Sequence, residues 1–262
     1  MQEQLLNGKT ALVCGSTQGI GLAAATALAN LGARVILMAR SPEKLEHARA
    51  ALPHPNGVTH DIAVADFANP DTVLTAVNNI IKDRNIHILV NNTGGPPGGP
   101  ITQATPDAFR AAFESHLICN HILATACIPG MKADGYGRII NVISTSVKAP
   151  LPGLGVSNTI RAAVGNWSKT MATELAPDGI TVNNVLPGAT DTERLSGIIQ
   201  AKANRLGVDP ETVLEEMRNE VPMKRFAKPA EIAAAIAFLA SPDAGYISGI
   251  NIPVDGGRTP NL

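Results

Sequence analysis

The chain is poor in aromatic residues: one Trp, two Tyr and five Phe make up 3% of its 262 residues. An aromatic-layered core is excluded, so packing falls to Ala, Val, Ile and Leu, which suits helices laid closely on a sheet better than a β-sandwich. Cysteine is scarce too. Cys14, Cys119 and Cys127 show neither a CxxC pair nor any other metal-ligand spacing, so each reads as a small buried apolar residue and no metal is expected. Long basic runs are missing and the net charge is −1, which gives neither nucleic acid nor an anionic membrane a reason to bind. No uninterrupted apolar run reaches membrane-spanning length. The opening MQEQLLNGKT has no positively charged segment followed by an apolar one. No secretory signal is read there, and the expected location is cytoplasmic.

Hydrophobic residues are plentiful at 45%, enough for a full core. Short β-branched runs at 10–15, 34–39, 57–61, 86–92, 137–144, 179–187 and 249–255 alternate with Ala-rich helical stretches. The runs are almost continuously apolar, as in strands buried on both faces. Right-handed crossovers then give an α/β fold: a doubly wound, Rossmann-like parallel sheet between two helical layers, as a single domain over residues 1–262. Ser41-Pro42, Asn69-Pro70, Thr105-Pro106 and Lys228-Pro229 each place proline at a first helical position. Gly32, Gly135 and Gly179 fall where left-handed residues end helices. Residues 188–228 break the rhythm with two polar helical patterns, near 192–206 and 209–220, and no strand between them. That predicts a lid inserted over one end of the sheet.

CGSTQGIG (14–21) follows the first strand and opens the first helix. Gly15 lets the chain turn, Gly19 lets backbone approach a pyrophosphate, and Gly21 allows close helix–strand contact. An ordinary strand–helix turn is the alternative for this motif alone. Further motifs stand in order behind it: NNTG (91–94), PGATDT (187–192) and RFAKPAEIAAAIAFLASPDAGYISGINIPVDGG (225–257). Together they resemble the short-chain dehydrogenase/reductase family in its small single-domain form, from about Leu6 to Gly257.

The resemblance implies a dinucleotide-binding oxidoreductase, usually a dimer or tetramer. Its cofactor residues map onto Gly15, Ser16, Thr17, Gly19, Ile20 and Gly21 in the loop, then Asp61 and Ile62 at the adenine. Asn91, Thr93 and Gly94 fall beside the ribose, with Thr93 in place of the usual alanine, and Pro187, Gly188 and Thr192 at the nicotinamide amide and phosphates. After the second strand stand Arg40 and Ser41 rather than the Asp or Glu of NAD binders. A guanidinium there can grip a 2′-phosphate and no carboxylate repels it, so NADP(H) is expected ahead of NAD. A plain solvated charge is the alternative for Arg40.

The family's Asn–Ser–Tyr–Lys set is altered. Ser144 ends the fifth strand in the serine position. The tyrosine position, 13 residues on, is Ser157; the lysine position is Arg161; the asparagine position is His116. A serine hydroxyl is a poor direct acid, and arginine stays charged and cannot shuttle a proton. Arg161 can still bind ribose hydroxyls and supply positive potential. His116, with an ordinary pKa of about 6.5, is one candidate proton donor and Lys148 is another. A buried histidine that caps a backbone carbonyl and a plain surface lysine are the alternatives. GGPPGGP (94–100) is either a pocket wall or a tight surface turn, and Leu151, Leu154 and Val156 suggest an apolar wall beside it.

Two functions stay open at this point. One is an NADP(H)-dependent oxidoreductase with an altered proton relay, acting on a ketone, aldehyde, secondary alcohol or enoyl-type small molecule. The other is a catalytically degenerate NADP(H)-binding protein, a sensor or partner subunit. The helices near 105–130 and 155–175 are expected to expose small and apolar residues, including Ala111, Ala112, Ala162, Ala163 and Trp167, and the resemblance then implies a homo-oligomer, with the tetramer ahead of the dimer.

Overall fold

The computed structural model describes residues 4–261, so positions 1–3 and 262 of the expected domain lie outside the described residues. Seven parallel strands form one sheet in the order β3-β2-β1-β4-β5-β6-β7. They are β1 Thr10–Cys14, β2 Arg34–Ala39, β3 Asp61–Val64, β4 Ile88–Asn91, β5 Gly137–Val142, β6 Ile180–Pro187 and β7 Asn251–Val254. The helices are α1 Gly19–Asn30, α2 Pro42–Ala50, α3 Pro70–Ile81, α4 Pro106–Phe113, α5 Cys119–Ala133, α6 Gly155–Leu175, α7 Glu193–Leu206, α8 Pro210–Asn219 and α9 Pro229–Ala240. Strand order reverses between β1 and β4, which opens a crevice at their carboxyl ends, the usual ligand position in such sheets.

Alternation along the strands builds two cores. Val13, Val35, Leu37, Val90 and Val185 face α1 and α9, while Leu12, Ile36, Met38, Leu89 and Val182 face α3, α5 and α6. The fold is therefore three-layered and Rossmann-like. Helix starts follow side-chain chemistry: Ser41, Asn69 and Thr105 accept from the amides of Lys44, Asp71 and Ala108. The three cysteines are buried and free.

Two expectations need correction. The third strand runs over Asp61–Val64, not 57–61, because Pro55–Gly57 forms a tight 3₁₀ turn. His60 sits just before β3, and its Nδ1 accepts the amide of Val35, which β3 does not reach. His87 does the same before β4, accepting the amide of Thr10. Second, Ala112 is buried against Val156 and Ile160 rather than exposed; Ala111, Phe113 and Ala162 are exposed.

An asparagine ladder crosses the sheet. Asn91, Asn141, Asn184 and Asn251 stand in register on adjacent strands. The first three each donate an amide proton sideways: Asn91 to Asn141 at 2.8 Å, Asn141 to Asn184 at 3.0 Å, Asn184 to Asn251 at 2.8 Å. Ser168 of α6 closes the network through both Asn141 and Asn184. Leucine at 141 strands the Asn91 donor and removes the amide group that donates to both Ser168 Oγ and Asn184 Oδ1. Asn141→Leu is expected to cost about 3 kcal/mol or more, read as a lower urea midpoint with an unchanged slope.

Candidate functional site

The glycine loop joins β1 to α1 at the crevice. A side chain at Gly21 would collide with the carbonyl oxygen of Gly15, and Gly15 itself sits at φ +57°. Asn92, at the end of β4, ties the loop down by donating to Cys14 O and Gly15 O at 3.2 and 3.3 Å. Thr192 caps α7 and touches the loop: a Cβ on Gly19 would lie 3.2 Å from its methyl. Gln18 also bridges to Glu193 at 2.9 Å.

Two atoms of this region are buried without a hydrogen-bond partner: Ser16 Oγ and Asn91 Oδ1. Orphaned buried polar atoms carry a free-energy cost that a bound ligand removes. A phosphate-bearing dinucleotide fits such a cradle of glycine backbone, a free hydroxyl and a helix N-terminus. Arg40 lies exposed beyond β2, and Ser41 Oγ is taken by its helix cap. Asp61 pairs with Arg84, so part of the carboxylate expected at the adenine is already engaged. Ile62 is half-buried.

Around the carboxyl ends of β4 and β5 the polar side chains converge. Arg161 of α6 is 91% covered and donates from Nη1 to Val142 O at 2.8 Å, at the end of β5. Burial, reinforced by Arg194, draws its pKa down to about 10, which leaves it cationic at neutral pH. Ser157 lies one helical turn earlier on the same face and is half-buried. Ser144 follows β5, and its Oγ accepts the amide of Ser146.

His116 lies in a π turn, Glu114–Ile118, between α4 and α5; such turns recur at functional sites. Its Nδ1 lies 2.6 Å from Thr93 Oγ1, so it pairs with a side-chain hydroxyl, not with a backbone carbonyl. Burial first, then Arg161 and Arg194, hold its pKa down at about 3. The free protein thus keeps a neutral imidazole there rather than a ready imidazolium acid.

Arg194, in the first turn of α7, was not singled out in the sequence. It reaches across to donate to Gly95 O and Pro96 O at 2.8 and 2.9 Å. The GGPPGGP stretch therefore anchors α7 through its carbonyls. Lys148 is half-buried on the turn after β5, and its carbonyl accepts from Asn261. Tyr136 donates to Ala240 O, and Tyr246 is fully exposed. A separate cavity of about 600 Å³ lies beside α6, lined by Ile101, Val147, Leu151 and Asn158. It takes in Leu151 but not Leu154 or Val156, nor Ser144, His116 or Arg161.

Three histidines link stability to pH. Burial lowers the pKa of His60, His87 and His116 below the ordinary value of 6.5. Below that value the unfolded chain takes up protons that the native state refuses. Stability is therefore full above pH 6.5 and falls as pH drops through the window below it. His116 alone contributes a slope of about 1.4 kcal/mol per pH unit there. Urea titrations at pH 7 and pH 5 should show the drop, and His116→Asn should shrink it.

Residues 15–259 match the family model described as enoyl-(acyl carrier protein) reductase. A 3-oxoacyl-(acyl-carrier-protein) reductase, FabG of Haemophilus influenzae, is 37% identical over 255 residues, spanning 96% of this chain and 98% of the relative. The L-sorbose reductase of Gluconobacter frateurii, solved with NADPH and L-sorbose, superposes with a TM-score of 0.92 at 33% identity over 100% of both chains. An NAD+-bound xylitol dehydrogenase superposes with a TM-score of 0.89 at 30% identity, over 96% of this chain and 99% of its own.

Proposed function

This chain belongs to the short-chain dehydrogenase/reductase family, and from that premise we propose that it is an NADP(H)-dependent oxidoreductase whose proton relay does not use a tyrosine. One observation carries the reading. A buried guanidinium, Arg161, stands at the end of β5 with no acid paired to it among the described residues, one helical turn after Ser157 and bonded to the strand end that Ser144 follows. Uncompensated buried charge is costly to stability and persists where it serves a site.

The glycine loop, Ser16, Thr17, Asn91, Pro187, Gly188 and Thr192 would hold the dinucleotide, with Arg40 at the 2′-phosphate. When bound, the dinucleotide supplies or accepts the hydride. Ser144 and Ser157 hydrogen-bond the substrate oxygen. Arg161 supplies positive potential to that oxygen and to the ribose hydroxyls beside it. The proton travels through the Thr93–His116 pair, whose 2.6 Å contact supports a relay. Helices α7 and α8 act as the lid, and the exposed faces of α4 and α6 as oligomer contacts.

NADPH oxidation against a panel of ketones, aldehydes and enones tests this directly. Turnover well above background is expected, and His116→Ala should lower kcat by about 100-fold with little change in KM. Tight NADPH binding without turnover on any carbonyl would overturn the reading in favour of a nucleotide-binding protein.

A further inference from the structure

Arg194 gives the cleft a second cation, and the two guanidinium groups aim at one place. A Cβ built on Gly95 would lie 2.8 Å from Arg194 Nη2 and 3.6 Å from Arg161 Nη2. The missing side chain at Gly95 therefore makes room for the Arg194 guanidinium, and both arginine end groups lie within 3.6 Å of that one point. Each guanidinium is held only by neutral carbonyls: Val142 O for Arg161, Gly95 O and Pro96 O for Arg194. Among the described residues neither forms an ion pair, whereas Arg49, Arg84, Arg110, Arg218, Arg225 and Arg258 all do. Two like charges brought together by fixed hydrogen bonds make a site that wants an anion.

The cofactor's phosphates have a cradle of their own at Ser16, Gly19 and Thr192. The arginine pair lies past it, on the side of His116 and Thr93, where the reacting carbon would sit. We infer that Arg161 and Arg194 clamp a carboxylate of the substrate, so that the chain acts on a carbonyl or hydroxyl compound carrying an acid group. This rests on the oxidoreductase reading of the cleft. Arg161 donates only from Nη1, which leaves Nη2 for a ligand, and each Nη of Arg194 keeps a second N–H beyond the one given to a carbonyl, so each guanidinium can add a charge-assisted bond to a carboxylate oxygen. The clamp also supplies specificity, because a neutral analogue leaves both cations unpaired.

The test compares acetoacetate and levulinate with their methyl esters, and with inorganic phosphate, by calorimetry on cofactor-free and NADP+-loaded protein. Wild type should bind each acid at least ten times more tightly than its ester. Arg194→Gln should erase that preference while changing NADPH affinity less than threefold, and Arg194→Lys should restore part of it. Arg194→Gln also gives up the hydrogen bonds that tie α7 to Gly95 and Pro96, so the thermal midpoints of both variants are compared with wild type, and Arg194→Lys carries the test if the glutamine variant is unstable. Equal binding of acid and ester, or no binding of either, overturns the clamp. So does tighter binding of phosphate than of the acids. A tenfold loss of NADPH affinity in Arg194→Gln with the acid preference intact would assign Arg194 to the cofactor's phosphates and also overturn it. A wild type that ignores NADPH but keeps the acid preference sinks the oxidoreductase reading alone.

Discussion

Gly21→Val should abolish dinucleotide binding. The new Cβ would overlap the carbonyl oxygen of Gly15 and lie 2.8 Å from Asn92 Nδ2. Neither neighbour can retreat cheaply: Gly15 belongs to the turn, and Asn92 holds that turn to β4. The helix start must shift away from the strand, and the loop amides lose their common focus. NADPH affinity is expected to fall more than 100-fold, with a drop in thermal midpoint of several degrees. Calorimetry and thermal unfolding read the two effects separately. Wild-type affinity in a folded variant would show that the loop is not the nucleotide site.

Arg161→Met should separate stability from activity. Methionine replaces the aliphatic stem, stops short of the guanidinium and its bond to Val142 O, and removes a cation that forms no ion pair among the described residues from a nearly closed position. Replacing a buried charge with a well-packed apolar residue is often neutral or stabilising. Turnover, by contrast, should fall about 1000-fold, since the charge that stabilises the developing oxyanion is gone. His116 should regain protonation at a higher pH, because Arg161 contributes to holding it neutral. Arg161→Lys, which restores the family's usual residue type, should recover part of the rate. A fully active, equally stable methionine variant would remove Arg161 from the mechanism.

Much of this architecture was legible in the sequence because it rests on local rules. Seven apolar runs and proline-marked helix starts follow from strand burial and capping, which act within a few residues. The left-handed glycines at 32, 135 and 179 appear where the helices end, at φ +91°, +59° and +72°. The place of the glycine loop between β1 and α1 was likewise readable from spacing. What escaped depends on register between distant segments. The asparagine ladder exists only because four strands bring residues 91, 141, 184 and 251 side by side. His60 and His87 serve as amide acceptors because neighbouring strands start late. Arg194 looked like one polar residue on a polar helix until the fold laid it across Gly95 and Pro96. Asp61 was readable as a carboxylate, but its pairing with Arg84, 23 positions away, was not.

The central claim is that this cleft binds NADP(H) and binds it productively. Titration calorimetry with NADPH and with NADH, on the wild type and on Arg40→Ala, tests it most directly. NADPH should bind clearly more tightly than NADH, and Arg40→Ala should weaken NADPH at least tenfold while leaving NADH unchanged. Absence of binding by either nucleotide to the folded protein would contradict the account.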